Sequence, residues 1–312
     1  MTLKQKTKRK DMPKDHQKHI PVLLDEVLEV LKPQKGETLL DVTAGYGGHS
    51  KEILGRTFQD EGSVLVDRDS YATEELKATF AGRDVSIMQD NFADAAIKLA
   101  DKGKKFDLIL ADLGVSSPHL DNKNRGFSFK EDGPLDMRMD VSQEITASTI
   151  VNRASNDELV RILKEYGEEF RAHRIVNAII SNRPISSTGQ LAKVIENAIH
   201  GKRQKVHPAT KTFQALRIAV NDELGQLERS LPIWINLLNP GGRIAIISFH
   251  SLEDRIIKRF LKSRSGPGYD TELNLATKKP ITAGHDELVF NPRARSAKLR
   301  AAVKIKKQKE GA

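Results

Sequence analysis

Hydrophobic positions change period along the chain. Residues 20–31 (IPVLLDEVLEVL) place apolar side chains at helical spacing and stop before Pro33, which predicts an amphipathic helix. Short aliphatic and β-branched runs follow at Thr38–Val42, Ser63–Asp67, Val85–Gln89 and Phe106–Ala111, separated by helical patterns. Strands alternating with helices predict βαβ units and a parallel sheet. The alternation then stops. After a turn-rich stretch over 125–140, only helical patterns appear until about Leu238: 157–166, 169–181, 188–198 and 210–231. In the last, Phe213, Leu216, Val220, Leu224 and Leu227 recur three or four apart and read as one stripe on one helix. The α/β pattern resumes with the turn Pro240-Gly241-Gly242 and a strand over 243–249. A helix over 252–261 then has Ser251 as its N-cap, and a final strand covers 301–305. The expected architecture is an α/β, Rossmann-like sheet over 20–124 and 232–312, interrupted by an all-helical, substrate-side domain over 125–231. Residues 1–19 are expected to be a disordered basic extension.

The stretch Thr38 to Ser50 (TLLDVTAGYGGHS) reads as strand, glycine loop and helix start. Glycines let the backbone approach a ligand closely, and the first turn of the helix offers unpaired N–H groups. A dinucleotide fingerprint from Gly45 needs a third glycine where Ser50 stands, and no P-loop lysine follows. A compact loop beside the strand-end acid Asp41 instead suits a smaller adenosine cofactor carrying a positive sulfonium. Asp67 follows Gly45 by 22 residues, close to the interval expected of a ribose-binding carboxylate.

Composition narrows the chemistry. The 312 residues contain no cysteine, which excludes disulfides, thiolate zinc sites and a cysteine nucleophile and fits a reducing cytoplasm. No metal site is read. No run is long and apolar enough for a membrane span or a signal peptide, so a soluble cytoplasmic protein with no membrane partner is expected. The net charge of +9 is uneven: residues 1–19 carry +5 and residues 291–312 carry +7, leaving −3 between them. Basic ends on a slightly acidic body point to a polyanionic partner. Arg293, Arg295 and Arg300 are interspersed with small residues, and planar guanidiniums suit phosphate contacts.

Ligands of open α/β sheets sit beyond the carboxyl ends of the strands, so Asp90, Asn91 and Phe92 are placed to flank an adenine. At the end of the fourth predicted strand, Asp112-Leu113-Gly114-Val115-Ser116-Ser117-Pro118-His119 delivers a carboxylate, a glycine and hydroxyls to the same edge. Ser248 and His250 end another strand there. The serines lack the strained turn of a hydrolase nucleophile.

Together with these features, the strings GGHS, DLGVSSP, RGFSF, DGPLDMRMD, HPAT-x-TFQALRI, ISFHSLEDR and NPRARS, in this order, resemble the bacterial 16S ribosomal RNA cytosine-N4 methyltransferase family. The likeness covers His19 to about Arg300. It implies a class I S-adenosyl-L-methionine-dependent methyltransferase acting on a cytosine amine in the decoding region of 16S rRNA, within the small ribosomal subunit. It further implies cofactor contacts by Gly47, Gly48, His49, Asp67, Phe92 and Asp112. His119 falls at a contact position where the family has glutamine more often.

The exocyclic amine is a weak nucleophile because its lone pair is delocalised, so positioning and electrostatics must lower the barrier. Asp112 is the candidate catalytic residue. No Asn/Asp-Pro-Pro-aromatic string follows it, so the partner for an extruded base is expected from Phe127 or Phe129. A DNA or other RNA amino-methyltransferase and a noncatalytic RNA-binding protein on a methyltransferase fold are the alternatives. A nicotinamide oxidoreductase fits poorly without the third glycine.

Overall fold

The computed structural model describes residues 21–115, 122–199, 207–267 and 271–305. Among these, β1 (Leu39–Asp41), β2 (Val64–Asp67), β3 (Ser86–Gln89), β4 (Phe106–Asp112), β5 (Leu238–Ser248), β6 (Leu273–Leu275) and β7 (Lys298–Lys304) form one seven-stranded sheet in the order β3-β2-β1-β4-β5-β7-β6. The first five strands are parallel, and β7 runs antiparallel to both β5 and β6. This is the class I methyltransferase sheet that the resemblance implies.

Side chains alternate between its faces, as the strand period demands. Leu40, Val64, Val66, Ile109, Ile244 and Ile246 pack into one core with α4 (Phe92–Asp101), α10 (Glu223–Leu237) and α11 (Ser251–Ser263). Leu39, Leu65, Leu108, Leu110, Ala245 and Ile247 face the other way, toward α1 (Leu24–Leu31), α2 (Gly48–Thr57) and α3 (Ser70–Thr79). Burial on both faces explains why the strands read as continuous apolar runs.

Between β4 and β5 lie α5 (Ala147–Arg153), α6 (Asn156–Glu165), α7 (Ala172–Ser181), α8 (Thr188–Ala198) and α9 (Thr210–Asn221), which close around a third core containing Leu159, Leu163, Ile175, Ile179, Leu191 and Leu216. The expected single helix over 210–231 is two helices. Asp222 takes the left-handed conformation (φ 48°) and ends α9, so α10 leaves in a new direction. Leu227 and Leu231 therefore pack beneath the sheet with Trp234, while Phe213 and Leu216 stay with the helical core. The apparent continuous stripe arose because two successive amphipathic helices kept a spacing of three or four across the break.

Two further expectations change. Phe106 pairs with Leu238 and Leu108 with Arg243, so Pro240-Gly241-Gly242 is a bulge within β5 rather than a turn before it. The N-cap of α11 is His250, whose Nδ1 accepts from the Glu253 N–H (3.4 Å); the Ser251 hydroxyl instead donates to Glu168 (2.8 Å). No helix among the described residues is long and apolar enough to cross a membrane. The basic extension 1–19 and His119 lie outside the described residues.

Candidate active site

A cavity of about 800 Å³ opens at the carboxyl ends of β1, β2, β4 and β5. The sheet topology brings to it the glycine loop, Asp67, Phe92, Asp112, Phe249 and Glu253 from separate stretches of chain. Gly47, Gly48, His49, Asp67, Phe92 and Asp112, expected as cofactor contacts, all line it.

Two loop glycines are sterically required. Gly47 has φ 78°, and a Cβ there would stand 2.7 Å from Phe80 Cε2; one on Gly48 would stand 2.6 Å from Pro21 Cγ. The loop is thus pressed against α3 on one side and the residues before α1 on the other, leaving its open side to the cavity. The Asp67 carboxylate accepts from the N–H groups of Gly45 and Asp69, both at 2.9 Å, which fixes it at the cavity wall. Phe92 begins α4 and stands edge-on to Trp234, with ring centroids 5.6 Å apart, so its outer side borders the cavity while its edge is anchored in the core.

Asp41 differs from the expectation that it faces a sulfonium. It is 1% exposed and turned into the loop, where it accepts from the Ser50 hydroxyl (2.5 Å) and the Thr43 N–H (3.1 Å). Burial raises its pKa to about 7, offset in part by these two donors and reinforced by Asp67. Its work is to hold the loop from behind.

Asp112, at the tip of β4, lines the cavity. Its Oδ1 is buried without a hydrogen-bond partner among the described residues, and its Oδ2 stands 3.8 Å from His49 Nδ1. Desolvation, with Asp41 and Glu253 adding negative charge nearby, lifts its pKa well above the usual carboxylate range. Glu253 behaves oppositely: burial is outweighed by His250, Arg217 and the Phe249 N–H, and its pKa falls. Two carboxyls of one cavity wall are thus shifted in opposite directions.

Of the residues expected to meet RNA, Arg293 lines the cavity and, like Arg295, is exposed on the turn 292–296. Arg300 is not available for phosphate. It is 7% exposed, and its Nε donates to Asp254 Oδ1 at 2.7 Å, because its place on β7 turns the side chain inward onto α11. The stacking role expected of Phe127 and Phe129 also yields to packing. Phe127 is 7% exposed in the helical core, and Phe129 lies against His207 and Phe213 with ring centroids 4.6 and 4.7 Å away. Turn-rich context made these rings look like an exposed loop, whereas they anchor that loop to α9.

Sequence reasoning missed Arg68, Met139 and Glu223, and read Glu253 only as part of a capped helix; all four line the cavity. Asn221 carries the nearest clue. Its side chain accepts from the Met139 N–H (2.9 Å) and donates to the Met137 carbonyl (2.8 Å), tying the DGPLDMRMD loop to the end of α9 above the cavity.

Residues 16–305 match the profile of the MraW methylase family. The chain is 47% identical over 310 residues to a protein of Nitratidesulfovibrio vulgaris named ribosomal RNA small subunit methyltransferase H, covering 92% of this chain and 86% of the relative. Relatives of the same name from Halothermothrix orenii and Synechocystis sp. are 45% and 48% identical, covering 92% of this chain and 98% and 93% of their own lengths. An rRNA methylase structure from Streptococcus thermophilus aligns with a TM-score of 0.39 at 10% identity over 90% of this chain and 93% of that one. The sheet order, the glycine loop and the strand-end acids sit where a methyl donor would need them, and the profile match spans nearly all of the chain, which therefore belongs to the MraW methylase family.

Proposed function

We propose that this protein methylates the exocyclic N4 amine of a cytosine in the decoding region of 16S rRNA, using S-adenosyl-L-methionine. The carrying observation is the convergence of Asp112, at the end of β4, with the glycine loop and Asp67 on one cavity at the carboxyl ends of the strands. The fit to the cofactor is chemical. Asp67 offers acceptors for ribose hydroxyls, Phe92 a ring face for adenine, and Asp112 a carboxylate for positive charge, while the Gly47–Gly48 loop, packed close on Phe80 and Pro21, turns its backbone to the cavity. When bound, S-adenosyl-L-methionine supplies a methyl group on a sulfonium sulfur, which passes to the amine nitrogen as the carbon–sulfur bond breaks and the nitrogen sheds a proton.

The protein's share is to orient the amine and to accept its hydrogens. Asp112, whose side chain is partly exposed at the cavity, is the group placed for this. The helical segment, with Met139 at the cavity rim, shields the site from water. Arg293 and Arg295 meet backbone phosphates at the entrance. The names of the relatives support the small-subunit rRNA as substrate, and the family resemblance supports cytosine N4.

Nucleoside mass spectrometry of 16S rRNA from cells with and without this protein tests the reading. N4-methylated cytidine is expected only with the protein present; unchanged nucleosides would sink the proposal. Parallel assays on naked rRNA, 30S subunits and DNA separate it from a DNA amino-methyltransferase.

A further inference from the structure

Helix α11 turns its two kinds of charge in opposite directions. Its acids are used inward: Glu253 is buried at the cavity wall, and Asp254 accepts from Arg300 Nε (2.7 Å) and Lys298 Nζ (3.2 Å) of β7. Its outward cations are Arg255, Lys258, Arg259 and Lys262, all exposed, and spacings of three and four put them on one face. Arg255 is bonded to Glu168 (2.7 Å), whereas Lys258, Arg259 and Lys262 have no carboxylate partner among the described residues. The helix dipole favours Lys262, which stands in the last turn, but it does not explain a row of four. Like charges so spaced repel one another until a polyanion meets them.

The row starts where the helical segment is clamped to α11. Glu168 accepts there from Arg255 and from the Ser251 hydroxyl (2.8 Å), and its own carbonyl accepts from Lys211 Nζ (2.8 Å). Two residues on, Phe170 is 78% exposed, and the Arg171 guanidinium lies 4.8 Å from its ring centroid. A single exposed apolar side chain is ordinary. An exposed ring at the head of a cation row is the combination that binds single-stranded nucleic acid, the ring taking a base and the cations the backbone. Because α11 begins beside Phe249 and Glu253 of the cavity wall, the row leads outward from the site along the protein surface.

We propose that this face is a second contact surface for the rRNA, with Lys258, Arg259 and Lys262 against backbone phosphates and an unpaired base near the target stacked on Phe170. The inference rests on the reading of rRNA as the substrate, and adds α11 to the turn that carries Arg293 and Arg295. A cation set against a phosphate releases counterions and a stacked ring does not, so the two halves of the surface separate by their salt dependence.

The test is binding and turnover across a salt series, on whichever of naked 16S rRNA and 30S subunits the parent methylates. The triple variant Lys258→Gln/Arg259→Gln/Lys262→Gln should lower the slope of log affinity against log salt by about two to three, and affinity itself by about 10- to 100-fold. Lys35→Gln/Lys102→Gln/Lys104→Gln removes the same charge from exposed positions in the loops before β1 and β4, at the end of the sheet away from the cavity, and should leave the slope as it is in the parent. Phe170→Ala should raise KM for RNA by about 5- to 100-fold at an unchanged slope, and Phe170→Trp should restore it. In every variant, kcat at saturating RNA and the dissociation constant for S-adenosyl-L-methionine should stay within about twofold of the parent, which a folding defect would not allow. If the triple variant does not fold, Lys258→Gln and Lys262→Gln singly should each remove about one from the slope. A parental slope after loss of the three cations, an equal loss in the control, or a parental KM in Phe170→Ala would overturn the proposal. A parent that methylates only DNA would instead defeat the substrate reading, independently of these variants.

Discussion

His49 turns Nδ1 toward Asp112 Oδ2 at 3.8 Å while its Nε2 lies 2.9 Å from the Val22 carbonyl oxygen. A carbonyl only accepts, so Nε2 carries a proton. The Nδ1 of a singly protonated ring would then turn a lone pair toward Asp112. Burial lifts the pKa of Asp112 well above the usual carboxylate range, and a protonated carboxyl there removes the conflict without a hydrogen bond across the gap. The two residues come from opposite sides of the sheet's central crevice, His49 from the start of α2 and Asp112 from the end of β4.

A sulfonium placed near Asp112 favours the ionised carboxylate, so binding S-adenosyl-L-methionine should release a proton. Affinity should therefore rise with pH between the ordinary carboxylate range and the raised pKa of Asp112. S-adenosylhomocysteine, which is neutral at sulfur, should show a weaker slope. Calorimetry in buffers of different ionisation enthalpy reads the proton directly. Asp112→Asn should flatten the pH dependence and reduce the preference for the sulfonium form by about 10-fold or more. Equal slopes for the two ligands would refute the coupling.

Gly47→Ala should disable the loop without touching any polar contact. The substituted Cβ meets Phe80 at 2.7 Å in a backbone conformation with φ 78°. The left-handed conformation alone costs roughly 1–2 kcal/mol for a residue with a Cβ. The loop must shift toward the cavity to relieve the contact, so cofactor affinity should fall more than global stability. Gly55→Ala is the matched control, since nothing lies within 4 Å of its new Cβ. A Gly47→Ala protein that binds cofactor like the parent would show that the loop adapts freely.

Much of the architecture is visible in the sequence because each strand is a short apolar run and each loop at the site carries a distinctive string. Gly47, Asp67 and Asp112 are legible since strand ends and glycines mark them. Side-chain direction is not. Arg300 looked like its neighbours Arg293 and Arg295 until its position on β7 turned it onto Asp254. Phe127 looked like an exposed loop aromatic until the loop folded back onto the helical core. Arg68 and Glu223 went unread because they act at the cavity only after the helical segment closes over the sheet, a contact between residues more than 150 positions apart.

The arginines near the C-terminus should divide by burial. Arg293→Glu and Arg295→Glu should weaken RNA binding and each reduce the slope of log affinity against log salt by about one. Arg300→Ala should leave that slope unchanged and instead destabilise the fold by about 1–3 kcal/mol, since Asp254 loses a charged hydrogen bond but keeps Lys298. Filter binding across a salt series, with thermal unfolding of each variant, distinguishes the two classes. A reduced slope for Arg300→Ala would mean that β7 reaches the RNA after all.

Phe127→Ala should act on stability before it acts on catalysis. The ring belongs to the same core as Leu135, Met137 and Phe213, and deleting a buried phenylalanine side chain costs about 3–5 kcal/mol. Hydrogen exchange should show the loss concentrated in α5 to α9, with amides in the sheet less affected. Normal exchange in those helices combined with lost methyl transfer would restore the ring to the substrate.

Asp41 has its pKa raised to about 7 in the folded protein against 3.8 for the free side chain. Between those values the folded protein keeps a proton that the unfolded chain has given up. Stability contributed through this group is therefore highest in acid and falls as pH rises from about 4 to about 7, by up to about 4 kcal/mol for a shift of about three units. Other carboxylates run the opposite way, Asp254 and Glu253 among them, so the parent's own pH profile mixes both signs. The difference between the parent and Asp41→Asn isolates the one group, because titrations shared by both proteins cancel. That difference should move against the parent as pH rises through the window and level off above it. A flat difference would mean that the Ser50 hydroxyl and the Thr43 N–H keep Asp41 ionised, and the loop would then be held by a buried charge instead of a neutral acid.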